Sequence, residues 1–432
     1  MSPCSSWRAG AFRSGWASPW STPTAPVSCD GPESPTSSAI SNCGTISRTA
    51  HYADARDGGR RRRVPSALVR RDGGDNDMDA RQIMDYYASS VVPLRSRILD
   101  EHRELAADLP EPARSSLMAV IEELPVHRLP ARPVLTYLGW LLAGGDAESQ
   151  APAYAAIASE FFHEAGLIYD DIVDSSHHRR QQPTVWAAYA SLHAEEPWAG
   201  SFGRGVALWQ GALLLRWAED AFARALLAVE PSCVSGAQHV WRRSAADLWA
   251  SQHIDLVVSA KEGNTSSPGS AERVVTLKGR YVALLPLQIG CALAGGEPPL
   301  MAALSAYAEP LGRAYILRND LEGVFGTSRS KPPNDLRERR LSMLIEYART
   351  MATPVQARVL DLAGREDLSD TQVSEIKSVL EATGARDRAE RAVLMLAKDA
   401  RVAAGWGAFP DGARSLLERN VDTALSFHDL AP

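Results

Sequence analysis

From Met78 onward, the apolar residues of this chain recur at intervals of three and four. That is the period of an amphipathic helix, and it excludes most alternatives at once. "LPARPVLTYLGWLLAG", "AYAAIASEFFHEAGLIYDDIV", "GRGVALWQGALLLRWAEDAFARALLAV" and "ERAVLMLAKDARVA" all carry it. Breakers punctuate the runs: Gly144-Gly145, Pro197, Pro231, "GNTSSPGS", "GGEPP" and "KPPND". Strand-type alternation is scarce, and there is no glycine-rich phosphate loop and no fixed-period repeat. The pattern predicts one all-α domain over residues 78–432, a bundle of about ten or more helices. Such bundles hold ligands between facing helices.

The composition leaves room for a large core, with 45% apolar and 23% charged residues in a chain of 432. A net charge of −6 argues against general nucleic-acid binding. No uninterrupted apolar run reaches the length of a membrane span. The nearest, "VALLPLQIGCALAGG", is broken by Pro286 and Gln288. The cysteines (Cys4, Cys29, Cys43, Cys233 and Cys291) lack zinc-type spacing and fit a reducing cytoplasm better than a disulfide framework. Residues 1–77 differ from the body, being rich in Ser, Pro, Thr, Gly and Arg. With ten arginines, no lysine and seven acids they carry +3, which leaves −6 − 3 = −9 for residues 78–432. This stretch is expected to be a disordered, low-complexity tail. Its alternatives are a targeting or nucleic-acid arm, or a translation start at Met78.

Chemistry concentrates in "GLIYDDIVDSSHHRRQQPTVW". Asp170 and Asp174 share a helical face, and Asp171 lies about 100° around. Like charges at this spacing destabilise a helix, and the residues before them (Phe161, Phe162, Ala165, Leu167, Ile168) predict burial. Binding a divalent cation offsets both costs, and magnesium uses one or two carboxylates with phosphate oxygens. Arg179 and Arg180 follow, and arginine suits phosphate recognition. His163 stands seven residues before Asp170, on the same face. The bland alternative is a surface patch in which the arginines neutralise the aspartates. We expect instead that both sets of charges face a magnesium diphosphate. A second acidic stretch, Asn319, Asp320 and Glu322, lies downstream, followed by Lys331, Asp335, Arg340 and Ser342. Gln252, Asp255, Lys278 and Arg280 fall between the two.

In order and spacing, "LIYDDIVDSSHHRRQQPTV", "FGRGVALWQGALLLRWA", "LKGRYVALLPLQIGCALAGG" and "LRNDLEGVFG…KPPNDLRERR" resemble the trans-isoprenyl diphosphate synthases, or polyprenyl synthetases. The resemblance covers residues of about 90 to 350 and implies an all-α, isoprenoid-synthase-type bundle around a central cavity, a homodimer. It implies that Asp170 and Asp174, beside Asp171, bind magnesium that holds an allylic diphosphate. It gives Arg179 to the allylic diphosphate and Arg180, His163 and Arg132 to isopentenyl diphosphate. Lys278 and Lys331 match lysines that reach the allylic diphosphate. Gln252 and Asp255 line the site, and Asn319 and Asp320 supply the remaining metal ligation. The implied catalytic set is Asp170, Asp171, Asp174, Arg179 and Lys278. About three magnesium ions then neutralise a leaving diphosphate as Lewis acids. An allylic cation forms, and the acceptor's double bond attacks it.

The chain also departs from the family's pattern. Arg132 and Pro133 match the upstream isopentenyl motif, but Leu129 stands at its lysine position, with Arg128 one residue away. Ile316 replaces a usual glutamine, and Asn319 a usual aspartate. These changes touch the acceptor and third-metal positions more than the allylic site. They leave open a class I terpene cyclase, or prenyl transfer to another acceptor. The cyclase triad, spaced from Asn319, would fall on Gly323 and Thr327 and is not met. An inert subunit of a heteromeric synthase is a third reading, though such a chain is expected to lose the first aspartate motif. Gly166 and Ala165 stand where bulky aromatics stop chain growth, which predicts a product of about C20 or longer, with Phe161 and Phe162 one turn deeper as a later floor. His177 and His178 read as exposed, Trp209, Trp217 and Trp249 as core or cavity wall, and Cys233 and Cys291 as buried apolar residues.

Overall fold

The computed structural model describes residues 77–432 apart from 125–130, 180–181, 260–268, 327–334, 338–341, 366, 407–408, 410 and 426–432. The expected tail, and with it Arg128, Leu129, Arg180, Lys331 and Arg340, lies outside the described residues.

Helix α1 (Asp77–Tyr86) runs through a π-helical turn (Tyr87–Val91) into α2 (Val92–Ala107), and α3 (Ala113–Glu123) follows. Next come α4 (Ala131–Leu142) and α5 (Ala151–Val173). A hairpin of two short antiparallel strands, β1 (His178–Arg179) and β2 (Gln182–Pro183), leads to α6 (Val185–Ser191). Two long helices then lie side by side in sequence, α7 (Ala199–Leu227) and α8 (Pro231–Ser259). α9 (Ser270–Gly279) passes through a second π-helical turn (Arg280–Leu284) into α10 (Leu285–Leu293), and α11 (Pro298–Phe325) follows. The remainder is α12 (Met343–Arg349), α13 (Pro354–Leu360), α14 (Asp370–Ala382), α15 (Ala385–Ala404) and α16 (Asp411–Leu425). The all-α expectation holds.

α5 is apolar around most of its circumference, as a central helix must be. Its alanines, with Ile157 and Phe161, are buried from Ala151 to Ala165, and polarity returns only at its C-terminal end. It packs along α7, while α4 packs on α10 and α11 on α15. One apolar cluster joins α5 to Leu214, Trp217 and Phe222 of α7 and to Leu285, Leu287 and Ile289 of α10. A second joins Leu317 and Leu321 of α11 to Ile376 of α14 and Val393 of α15. Two of the helices that carry site residues meet without side chains between them. A Cβ on Gly312 of α11 would lie 2.0 Å from the carbonyl oxygen of Gly279 at the end of α9. That approach brings Lys278 beside α11.

Two of the expectations for tryptophan are corrected. Trp217 is buried, but Trp209 is 77% exposed on α7 and Trp249 67% exposed on α8. Both helices are apolar on more than one side, and periodicity alone cannot separate a core face from an outward one. Cys291 is buried as expected, whereas Cys233 is half-buried. His177 and His178 are exposed, as expected. Among the described residues, no helix is long and apolar enough to cross a membrane.

Candidate active site

The first acidic group terminates α5. Asp170 and Asp171 occupy its last turn and Asp174 is its C-cap, with the Asp174 N–H donating to the Asp170 carbonyl. Carboxylates at a helix C-terminus oppose the helix dipole, which favours cations there. Asp171 is the most enclosed, at 5% exposed. The chain then reverses through Ser175, whose φ of +53° is left-handed, into the β1–β2 hairpin. The reversal is held by the Trp186 indole, which donates to the Asp171 and Ser176 carbonyls, both at 3.0 Å.

This hairpin returns Arg179 to the aspartates. Its Nε lies 2.9 and 3.1 Å from the Asp171 carboxylate oxygens, and its Nη2 lies 3.0 Å from Asp170 Oδ2. Arg179 therefore pairs directly with two of the three aspartates. The expectation that arginines and aspartates face only a third party does not describe this arrangement. The turn is short enough to bring the cation home to its own sequence neighbours.

α8 runs opposite α5 and links the first acidic group to the second. Gln252 donates to Asp170 Oδ1 at 3.3 Å. One turn further, Asp255 receives Lys278 Nζ at 3.0 Å. Lys278 comes from the last turn of α9, and its side chain is about one-fifth exposed. Beyond it stands Asp320 on α11, close enough to Asp335, Lys278 and Asp255 to feel all three charges. Burial, then the neighbouring Asp335 carboxylate, pushes the Asp320 carboxyl up to about 7. The Met343 N–H, which Asp320 accepts, and Lys278 pull the other way.

Asp335, to which the sequence assigns no role, is a member of this group. Its carboxylate rests on the α11 backbone at Gly323, where an added Cβ would lie 1.7 Å from Asp335 Oδ2. The Asp335 N–H donates to the Gly323 carbonyl at 3.3 Å. Gly323 follows Asp320 by three residues, so Asp335 places a carboxylate where a side chain at the next position on that face would start. The only sequence signal was the missing side chain at Gly323. Asn319, by contrast, turns its carbonyl oxygen to Arg318 Nη2 at 3.1 Å, and Arg318 also donates to the Ala424 carbonyl at 2.8 Å.

A third grouping centres on Tyr281 in the π-helical turn. π-turns recur at functional sites because they re-aim side chains. The Arg132 guanidinium of α4 lies 5.8 Å from the Tyr281 ring centre, and the His163 ring 6.1 Å from it. Burial pushes the Tyr281 hydroxyl up to about 12. The structure thus brings Arg132 and His163 to one residue, Tyr281, which no sequence motif singles out.

The donor set fits magnesium. All its candidate ligands are hard carboxylate or amide oxygens, and both acidic groups lie near helix C-termini. Among the described residues, Asp255, Asp320 and Asp335 outnumber the ammonium of Lys278 that faces them. Among the described residues no three groups are arranged to hold a metal by themselves. Magnesium does not require that, because it completes its shell with water and phosphate oxygens.

Comparison with known proteins agrees with this geometry. The polyprenyl synthetase family profile matches residues 130–382. A (2E,6E)-farnesyl diphosphate synthase of Mycobacterium tuberculosis is 26% identical over 264 residues, covering 59% of this chain and 67% of that protein. A geranylgeranyl diphosphate synthase of the same organism is 27% identical over 294 residues, covering 66% and 75%. The crystal structure of geranylgeranyl pyrophosphate synthase from Corynebacterium glutamicum, complexed with isoprenyl diphosphate and magnesium, superposes with a TM-score of 0.71 at 26% identity, covering 79% of this chain and 98% of that one.

Proposed function

This chain belongs to the polyprenyl synthetase family, and on that premise we propose that it is a magnesium-dependent trans-prenyltransferase. It condenses an allylic diphosphate with isopentenyl diphosphate and gives a product of about C20 or longer. The observation that carries this reading is the continuity of the site across α8. Gln252 on Asp170 and Asp255 on Lys278 link the two acidic groups through one helix into a surface rich in carboxylates.

Asp170 and Asp174, with Asp171 beside them, on one side and Asn319 and Asp320 on the other would hold the ions. Bound magnesium supplies Lewis-acid charge to the leaving diphosphate, worth several kcal/mol. Arg179 exchanges its aspartate partners for the allylic diphosphate, and Lys278 and Lys331 donate to its oxygens. Arg132, His163 and Arg180 hold the isopentenyl diphosphate, and Tyr281 lies beside Arg132 and His163. The allylic C–O bond breaks, and its electron pair leaves with the diphosphate. The acceptor's double bond attacks C1, and the released diphosphate takes the proton.

The small side of α5 supports the long product. A Cβ on Gly166 would meet Leu248 Cδ2 at 3.9 Å, an ordinary contact with no clash. The protein is further proposed to be a homodimer. Leu208 and Trp209 of α7 and Trp249, Leu256 and Val257 of α8 are exposed large apolar residues on adjacent helices, a composition suited to a buried partner face. A cytoplasmic setting agrees with the free thiols Cys233 and Cys291.

Incubation of the full chain with magnesium and farnesyl diphosphate plus isopentenyl diphosphate, analysed by mass spectrometry, tests the reading. The expected result is an elongated prenyl diphosphate. Hydrocarbon from geranylgeranyl diphosphate alone would instead establish a cyclase, and no turnover in either mixture would overturn the assignment.

A further inference from the structure

Away from the aspartates, α8, the π-helical turn (Arg280–Leu284), α10 and the start of α11 enclose a cavity of about 220 Å³. Among the described residues, none from α5 lines it. Its inner wall is apolar and buried: Val240, Tyr281, Leu284 and Leu285 are each at most 9% exposed. Its rim is polar. His239 and Arg243 stand there one helical turn apart on α8, and both are exposed. Ser244 and the buried Asp247 complete the polar face of α8.

Ion pairs from three elements fix the rim. Arg243 Nε donates to Asp247 Oδ1 at 2.9 Å. Arg280 Nη1 lies 3.9 Å from Asp247 Oδ2, and Arg280 Nε donates to Glu309 Oε1 of α11 at 2.9 Å. Both oxygens of Asp247 therefore face guanidinia, and what the rim has left to offer is donors. Among the described residues, the terminal nitrogens of Arg243 and the Ser244 hydroxyl make no hydrogen bond to protein. A donor-rich rim over an apolar interior matches an anionic, acceptor-rich head on a short apolar chain. The volume equals about seven waters at roughly 30 Å³ each, enough for a chain of about five or six carbons and too small for one of about twenty.

We propose that this cavity is a second ligand site, for a small amphipathic anion such as an alkyl phosphate or alkyl carboxylate, and that its occupant modulates acceptor binding through Tyr281. The head sits at Arg243 and Ser244, and the chain lies against Tyr281, Leu284 and Leu285. Tyr281 is the shared element. It lines the cavity, and its ring also lies 5.8 Å from the Arg132 guanidinium and 6.1 Å from the His163 ring. An occupant that bears on the π-helical turn changes what Tyr281 presents to those two residues, and such coupling is reciprocal. The modulation rests on the reading of Arg132 and His163 as isopentenyl diphosphate contacts, whereas the site itself does not.

Calorimetry on the full chain tests it, with magnesium and inorganic pyrophosphate present to occupy the acidic ends. The probes are pentyl phosphate and hexanoate, with pentylammonium as the control of opposite charge. At least one anion is expected to bind with a Kd of about 1 mM or tighter, and pentylammonium about tenfold more weakly or not at all. Ser244→Phe fills the cavity, and Arg243→Gln removes the free cation of its rim. Each is expected to weaken the anion about tenfold or more. Arg243 is exposed, so its variant serves where Ser244→Phe does not fold. A second titration measures isopentenyl diphosphate with and without saturating probe. Its affinity is expected to change about fivefold or more in the wild type and to stay constant in Ser244→Phe. Binding of neither anion, or equal binding in the wild type and the variants, would overturn the site. An isopentenyl diphosphate affinity that the probe leaves unchanged would overturn the modulation. Because these titrations need no turnover, a wild type that binds the probe but makes no product refutes the synthase reading and leaves the site standing.

Discussion

The two acidic ends of the site are built differently. The first is written contiguously: Asp170, Asp171 and Asp174 fall within five residues, and Arg179 returns to them through one short hairpin. The second is assembled from α8, α9, α11 and the segment before α12. Asp255, Lys278, Asp320 and Asp335 are separated by up to 80 residues, and what brings them together is two glycine contacts, Gly312 on Gly279 and Asp335 on Gly323. A contiguous group is robust to changes elsewhere and visible in sequence. An assembled one depends on backbone approaches, so it can be disabled from positions that carry no charge at all.

The largest expected effect is at the contiguous end. Asp170→Asn keeps the amide–carbonyl geometry toward Gln252 but removes one charge that must balance a cation. By analogy with losing one preorganised electrostatic group, turnover is expected to fall by about 10²–10³. Steady-state kinetics at saturating magnesium measures this. A loss restored by higher magnesium would show that Asp170 only tunes metal affinity. A smaller effect is expected at the assembled end. Asp335→Asn and Gly323→Ala should each weaken magnesium affinity about 10–100-fold, as for groups that support metal ligands. The alanine does so without altering charge, by pushing the Asp335 carboxylate off α11. Calorimetric titration of magnesium with inorganic pyrophosphate distinguishes this from a purely structural role, in which the melting temperature would drop while metal affinity held.

Legibility in the sequence follows the same division. The helical class, the central place of α5 and the acids at its end were all readable. Each is a matter of local period and of residues close in the chain. Gln252, Asp255 and Lys278 could be named only through the family resemblance, since each alone is an ordinary helix-surface residue. Asp335 carried no role, because its relevance depends on the absent side chain at Gly323, a contact across the fold. Tyr281 was hidden differently: a π-helical turn shifts the phase of the helix, and no period of 3.6 anticipates which residue it aims inward. The exposure of Trp209 and Trp249 was not legible, because an apolar stripe looks the same in sequence whether it turns toward the core or away from it.

Arginine at 179 sharpens the comparison with an intermediate effect. It makes three hydrogen bonds to Asp170 and Asp171, and a lysine cannot reproduce that fork. Arg179→Lys is expected to raise the KM for the allylic diphosphate about tenfold, with a smaller change in kcat. An effect confined to isopentenyl diphosphate would reverse the assignment of the two substrates around this residue.

The smallest effect is one of pH, and it belongs to the assembled end alone. The Asp320 carboxyl is held up to about 7, by burial and then by Asp335. Unfolded, the same group titrates near 4. Between those values the folded state binds the proton more tightly, so stability falls as pH rises from about 4 to about 7 and levels off above. Without magnesium, the melting temperature is expected to drop by a few degrees between pH 5 and pH 8 from this group. Magnesium binds the ionised form, so its stabilisation should grow across the same interval. Asp320→Asn removes the proton and with it both trends, while Asp170→Asn leaves them in place. If the magnesium-dependent rise in melting temperature were the same at pH 5.5 and pH 8 in the wild type, Asp320 would not be the group that couples the second acidic end to its cation.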